Sequence, residues 1–518
     1  MAQSAPLYPL SLVGPGFAGL NTQTSSTVLG PEWAAEAQNM VFDDSGRPAA
    51  RKGWTSVTST PIRGGEAPLT YTPDIEQLFE YVDLDGDRVI ISAADNKIWS
   101  GTSSFTDITG SVTVTANNWQ FVNFYGDVYG LQTGHALVKW SGTSTFADVT
   151  ASSGSVPDGN CLLSAFGRLW GSSSNGQTLK YSSLLDGTAW GGVGAGSYNF
   201  AQVWGDGLDT IQALAAFNNY LVVFGKRHLI LIQDDSGSTI GLDPNNSRVS
   251  DVIVGVGCAA RDSIQNIDGD DLAFLSYTGL QTLRRVIEGK GNPLRDVSKN
   301  VRDELMTQVR GVASTTIRST YNPKEGFYLL LIPGSSYIWC FDTRVNLPDG
   351  TLRTTRWTSF IPKSLLTRDD RATLYCGKSG EIYTHSNYLD ATQPYRFVYN
   401  SGWLTVSPEV QDRMKILKRI GSILSVGGQT NVIFKWGFDF RDLTYSITKS
   451  TAAGTTGGEW GLAEWGEDEF GGSAGLNEFE VPSWGTGQFV KLGLEANIDN
   501  TSFAIQQLQL FAKVGRIT

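Results

Sequence analysis

Asp83-Leu-Asp-Gly-Asp sets three carboxylates within five residues, the density of a calcium loop. Gly86 comes too early for an EF-hand and no glutamate closes the loop, so a hairpin turn on Asp85-Gly86 is favoured. Asp268-Gly-Asp-Asp reads the same way. Ser92-Ala-Ala-Asp-Asn-Lys-Ile-Trp approaches a sialidase-type Asp-box, but Asp95 falls one place late and the glycine is missing. No carboxylate pair stands out as a glycosidase dyad. Gly14-Pro-Gly-Phe-Ala-Gly has GxGxxG spacing without the strand and helix that would let it hold a pyrophosphate. GxSxG, HExxH and P-loop patterns do not occur. The expectation is a protein that is not an enzyme and that uses no cofactor and no metal.

Two charged stretches remain. Arg413, Lys415, Lys418 and Arg419 form a basic run that could meet phosphates or an acidic neighbour. Its alternation with Met414, Ile416 and Ile420 reads first as a solvated strand face. Residues 451–487 form a Gly/Trp-rich acidic segment that includes Glu464, Glu467, Asp468 and Glu469, with no Lys or Arg between Lys449 and Lys491. Alone it reads as a surface loop. Repeated around the axis of a ring it would line a pore and repel a passing polyanion.

The whole chain is acidic, with a formal charge of −11 over 518 residues. Duplex binding is largely counterion release by Lys and Arg, so a sequence-reading DNA binder is disfavoured. Charged residues are 18% and aromatics 11%, which supplies core material and excludes a disordered polyelectrolyte. The 59 glycines argue against a mainly helical protein. Cys161, Cys258, Cys340 and Cys376 include no close pair, so isolated core thiols are expected. The three histidines add little catalytic capacity. No 18-residue apolar run predicts a membrane-spanning helix, and no secretory signal is expected.

A degenerate unit of turn, apolar strand, turn and second strand recurs along the chain. It is plain at Asp85–Ser92 followed by Lys97–Ser100, and at Tyr125–Leu131 followed by Leu137–Trp140. Their matching endings, Phe105-Thr-Asp-Ile-Thr and Phe146-Ala-Asp-Val-Thr, lie about 41 residues apart. Looser copies start near Phe166, Asn218, Asp268, Lys324 and Arg371. One short sheet cannot bury both its faces, and stacking such sheets around an axis does. The expected fold is mainly β: a β-propeller of about seven blades, within a range of six to eight, over residues 76–395. Unrelated hairpins in two sandwiches are the alternative. Residues 1–75 are expected to be an N-terminal arm with a short helix at Pro31–Gln38. Its Trp54-Thr-Ser-Val would add a closing strand to the last blade near residue 385. A second helix is predicted at Ser298–Val309, capped by Ser298 or Asn300, with Val301, Leu305 and Val309 on one stripe. Residues 396–518 read as a separate antiparallel β domain, sandwich-like, carrying the acidic insertion.

Gly19-Leu-Asn, then Ala37-Gln-Asn-Met-Val-Phe-Asp, then Arg51-Lys-Gly-Trp resembles the opening of short-tailed bacteriophage tail nozzle proteins, the tail tubular protein B or tail hub family. Asn497-Ile-Asp-Asn-Thr-Ser-Phe and Lys513-Val-Gly-Arg resemble that family's closing strands. The resemblance implies a structural virion tail protein, assembled in the bacterial host cytoplasm as a homohexameric ring. That ring would attach to an adaptor below the portal, contact tail fibres or spikes, retain packaged double-stranded DNA and release it through its lumen. It carries over no catalytic residue. A host-surface or glycan-binding propeller of the virion is the alternative function, and a propeller hydrolase a third.

Overall fold

Each predicted unit turns between two strands that pair in antiparallel register, and the remaining strands of each sheet follow outward. The computed structural model describes residues 7–515 except 14–15, 65–70, 205–208, 237–239, 241–242, 244–245, 268, 270, 290–295, 370, 406–411 and 452–474. Among the described residues the units form five four-stranded sheets, one three-stranded sheet and a run of four strands, from Arg318–Asn322 to Leu352–Trp357, at one end of a ten-stranded sheet. Their innermost strands are Gln77–Val82, Gln120–Phe124, Leu162–Ala165, Ala213–Phe217, Gln265–Ile267, Arg318–Asn322 and Ser364–Thr367. These pack in sequence around an axis, with the turn Arg261–Ser263 bridging the fourth to the fifth and the seventh returning to the first. The protein contains a β-propeller.

Strand alternation builds the contacts between blades. In Tyr220–Phe224, Leu221 and Val223 face the third blade, while Val222 and Phe224 face the fifth. Each fully buried side chain of this kind stabilises the stack by roughly 1.5–3 kcal/mol. The ring closes through Trp54–Ser56, which pairs antiparallel with Glu381–His385 as the outer strand of the last blade. Trp54 is buried against Trp357, Phe360 and His385. The free edge that the last blade would otherwise show is thereby occupied.

The N-terminal arm corrects one expectation. Residues Trp33–Gln38 form a strand, not a helix, although Ala and Glu favour helix locally. The strand sits between Leu352–Trp357 of the sixth blade and Tyr395–Ser401. Two open sheet edges there satisfy its backbone, and the small Ala34 and Ala37 let the layers approach until both are wholly buried. The second predicted helix is present as a 3-10 turn Lys299–Val301 running into an α-helix Arg302–Val309. Ser298 does not cap it; its hydroxyl accepts the Leu280 N–H at 2.9 Å. A further helix, Leu283–Gly289, lies where the repeat suggested strand.

Beyond residue 395 the strands form two facing sheets around the largest core, with Leu417, Ile420 and Leu510 opposite Phe397, Phe434 and Leu494. The layers are not a separate body. Strands Leu7–Val13, Met40–Phe42 and Pro48–Ala50 belong to one sheet. The other, ten-stranded, runs without a break through Trp33–Gln38 into the sixth blade.

All four cysteines are buried and unpaired. Burial pushes the Cys161 and Cys258 thiols up to about 12, and raises those of Cys340 and Cys376 as well. An aromatic disulfide reagent is therefore expected to label none of them in the native protein, and all four after denaturation. Labelling of any one at the rate of a free thiol would contradict this packing.

Candidate functional site: an N-terminal joint and a central cavity

Several of the N-terminal positions that carry the sequence resemblance lie at one buried joint. Gly19 has φ +94°, and a Cβ there would stand 2.9 Å from the Thr354 backbone. Asn21 Oδ1 accepts the N–H groups of Gln23 (3.0 Å) and Thr24 (2.9 Å), turning the chain away from the first strands. Asn39, with φ 57°, satisfies four groups at once. Its amide donates to Thr358 Oγ1 (2.8 Å) and Arg396 O (2.6 Å), and its oxygen accepts from Arg51 Nε (3.0 Å) and Thr358 N (2.8 Å).

Arg51 is 0% exposed and pairs with Asp390 through two bonds, at 2.9 and 2.6 Å. Its guanidinium also donates to Lys52 O and Thr358 O, and lies 4.4 Å from the Tyr395 ring centroid. Gly53 is required by close approach: a Cβ would meet Leu389 O at 2.0 Å. His385 stacks on Trp357, and burial, then the Arg51 charge, holds its pKa well below the usual value. The neutral imidazole is a packing element of the joint.

The innermost strands line an open central cavity of about 710 Å³. Charged residues that the repeat pattern did not single out line it, among them Arg261, Asp262, Arg318 and Arg368. At one end Asp262 accepts from Arg261 Nε and Nη2, both at 2.8 Å, and from Arg318 Nη1 at 2.7 Å. Arg261 reaches across to Asn160 O (2.8 Å) and Asn118 O (3.1 Å), just ahead of the innermost strands of the third and second blades. Arg318 Nε donates to Glu76 O (3.0 Å), ahead of the first blade's. One triad thus ties five blades at the axis. Burial works to raise the Asp262 pKa, but the two guanidiniums beside it hold it below the usual carboxylate range. Elsewhere on the axis Glu80 accepts from Arg88 (2.9 Å) and Arg368 (2.8 Å), joining the first and seventh blades. The signals for these residues were weak in sequence. Arg261-Asp262 is a plain dipeptide between units, and Arg318 lies far away along the chain.

The four basic residues do not form one face. Lys415 is 0% exposed and donates to Gln488 O at 2.8 Å, and burial lowers its pKa. A bulge between Leu417 and Arg419 shifts the alternation, which is why the solvated-face expectation fails for Lys415. Arg413 and Lys418 are exposed, whereas Arg419 pairs with Glu480 and covers the Phe511 ring. Glu464, Glu467, Asp468 and Glu469 lie outside the described residues. Asp83 Oδ1 accepts the N–H groups of Asp85 (3.0 Å) and Asp87 (2.8 Å), the geometry of a hairpin turn. Among the described residues no cluster of His, Cys, Asp or Glu could hold a metal. No described helix is long and apolar enough to cross a membrane.

No family model matches the chain, and no curated protein matches its sequence. Among solved structures it is similar to the β-propeller domain of Cps50 (Swd1) from Myceliophteria thermophila, at 10% identity and a TM-score of 0.38. That match covers 63% of this chain and 99% of the other. It is also similar to the extracellular domain of a putative one-component system from B. thetaiotaomicron, at 11% identity and a TM-score of 0.38. There the match covers 86% of this chain and 61% of the other. The propeller assignment rests on the strand order and pairings given above.

Proposed function

We propose that the chain is a structural protein of a short-tailed phage virion, and that six copies form a ring around the channel through which DNA leaves. The observation that supports this reading most is the buried joint. Gly19, Asn39, Arg51, Gly53 and Trp54 carry the resemblance to tail nozzle proteins, and the same residues tie the arm to the propeller and the C-terminal sheets. Motifs that fix an architecture are what a mechanical part needs, since its work is to hold its shape under load. The acidic composition suits a lumen along which a polyanion slides without sticking. In this reading the acidic segment 451–487 faces the axis of the ring, and exposed Arg413 and Lys418 meet an acidic neighbour, a second copy or an adaptor. The protein then performs no catalysis and reads no DNA sequence.

Light scattering and negative-stain imaging of the purified protein, alone and mixed with candidate adaptor proteins, test this directly. The expected result is a closed ring of six copies with a lumen wide enough for duplex DNA. A monomer under every condition, retained on a carbohydrate column, would replace this reading with the glycan-binding one.

A further inference from the structure

The turns on one face of the second and third blades break a local rule. Tyr125-Gly126 and Phe166-Gly167 are two-residue hairpin loops, set between Phe124 and Asp127 and between Ala165 and Arg168. All four residues have positive φ, 53° and 75° in the first loop and 54° and 71° in the second. Such a turn favours Asn, Asp or Gly at its first position and disfavours a bulky side chain there. The fourth blade obeys, with Asn218 at φ 50° in the equivalent loop. The second and third carry an aromatic ring instead, and Tyr125 is left 55% exposed. Rules of this kind are broken chiefly where function needs the residue.

The row continues to either side. Leu84, in the acidic turn of the first blade, is 81% exposed and lies over Gly126, where a Cβ would stand 2.7 Å from its Cγ. Leu184 and Leu185 are exposed over Gly167, and Leu185 again has a positive φ, 61°. Gly187, just beyond them, packs on the Tyr129 ring of the second blade. Exposed leucines scattered singly need no explanation, but a row across three neighbouring blades does. Its rim has one sign. Asp85, Asp87 and Asp186 are exposed beside it. The cations of these turns are already engaged, Lys139 by Asp127 at 2.7 Å and Arg88 by Glu80 at 2.9 Å. An apolar strip edged by carboxylates fits apolar side chains flanked by lysine or arginine.

We propose that this face docks a short basic segment of a different protein, its apolar side chains on Leu84, Tyr125, Leu184 and Leu185 and its cations on Asp85, Asp87 and Asp186. The C-terminal layers join the sixth blade, and across a ring of seven blades the second and third stand opposite it. In the ring proposed above those layers line the channel and this face points outward, so the choice of a different protein over a second copy rests on that reading.

Fluorescence anisotropy of the labelled peptide Lys-Lys-Leu-Leu-Lys-Leu-Leu-Lys-Lys with the full-length protein tests it. The peptide is expected to bind saturably, and versions with glutamate for every lysine or serine for every leucine at least about tenfold more weakly. Leu84→Ser and Tyr125→Asn are each expected to weaken binding several-fold. Tyr125→Asn also installs a residue that the turn prefers, so its melting temperature is expected to hold or rise, which a merely structural role for the ring would not give. Val345→Ser, at an exposed position of the sixth blade, is expected to leave the affinity unchanged. No saturable binding, equal binding of the glutamate peptide, or unaltered affinity in the Leu84→Ser/Tyr125→Asn double variant overturns the proposal. Light scattering on the same samples separates it from the ring reading. A monomer that binds the peptide removes the ring and keeps the docking face. Rings formed by the wild type and lost in the double variant assign the face to a second copy and overturn the choice of partner.

Discussion

Replacing Arg51 with methionine is expected to destabilise the protein by about 3–5 kcal/mol, because the change leaves Asp390 buried without its partner. The arithmetic of the site favours so large an effect. Arg51 is 0% exposed and Asp390 5%, so water cannot reach in to solvate an orphaned carboxylate. The guanidinium also satisfies Asn39 Oδ1, Lys52 O and Thr358 O, which lose a donor together. Lysine is not expected to rescue, since one ammonium cannot reproduce the forked pair to Asp390 and the bond to Asn39. Replacing Asp390 with leucine in the same chain as Arg51→Met is expected to recover part of the loss, because two apolar side chains leave no buried charge. Urea midpoints of the three variants check this. A single-variant loss below about 1 kcal/mol would mean that the joint is solvated and that Arg51 is a surface pair.

The repeat was legible because its physics is local. A glycine or aspartate turn between two apolar strands is written within a dozen residues, and the same turns open the second strand of each blade. The Phe-x-Asp-[Ile/Val]-Thr endings have a structural meaning. Asp107 and Asp148 lie exposed on the outer strands, while Ile108 and Val149 turn into the core beside them. The closing strand was legible for a related reason: an unmatched edge at the end of the ring predicts a partner, and Trp54 was the apolar anchor at hand. What lay beyond the sequence was decided by tertiary pairing. Trp33–Gln38 has helical propensity and became a strand only because two sheet edges flank it. Lys415 was assigned to the surface because a bulge two residues later cannot be read from alternation. The fusion of the last domain with the sixth blade was hidden for the same reason, since its joining strand comes from the far end of the chain. The Arg261–Asp262–Arg318 triad shows no periodicity; it exists because the ring brings five blades to one axis.

That triad carries the second large expected effect. Asp262→Asn removes the one carboxylate between two buried guanidiniums, and at about pH 7 it is expected to cost about 3–5 kcal/mol. The asparagine fits the same space and can still accept one bond, so the loss comes from charge and not from packing. The pH dependence separates this from a simple structural defect. The Asp262 pKa is depressed in the folded protein, so its contribution is fully present above the unfolded carboxylate value, about 3.9. It is lost as the pH falls through the lower, folded value. The wild-type protein is therefore expected to lose stability more steeply in acid than the variant, and the difference between them narrows as the pH drops below about 4. Urea midpoints measured from neutral pH into acid give both curves. Parallel curves, offset by a constant amount at every pH, would show that Asp262 is not the charge that holds Arg261 and Arg318 at the axis.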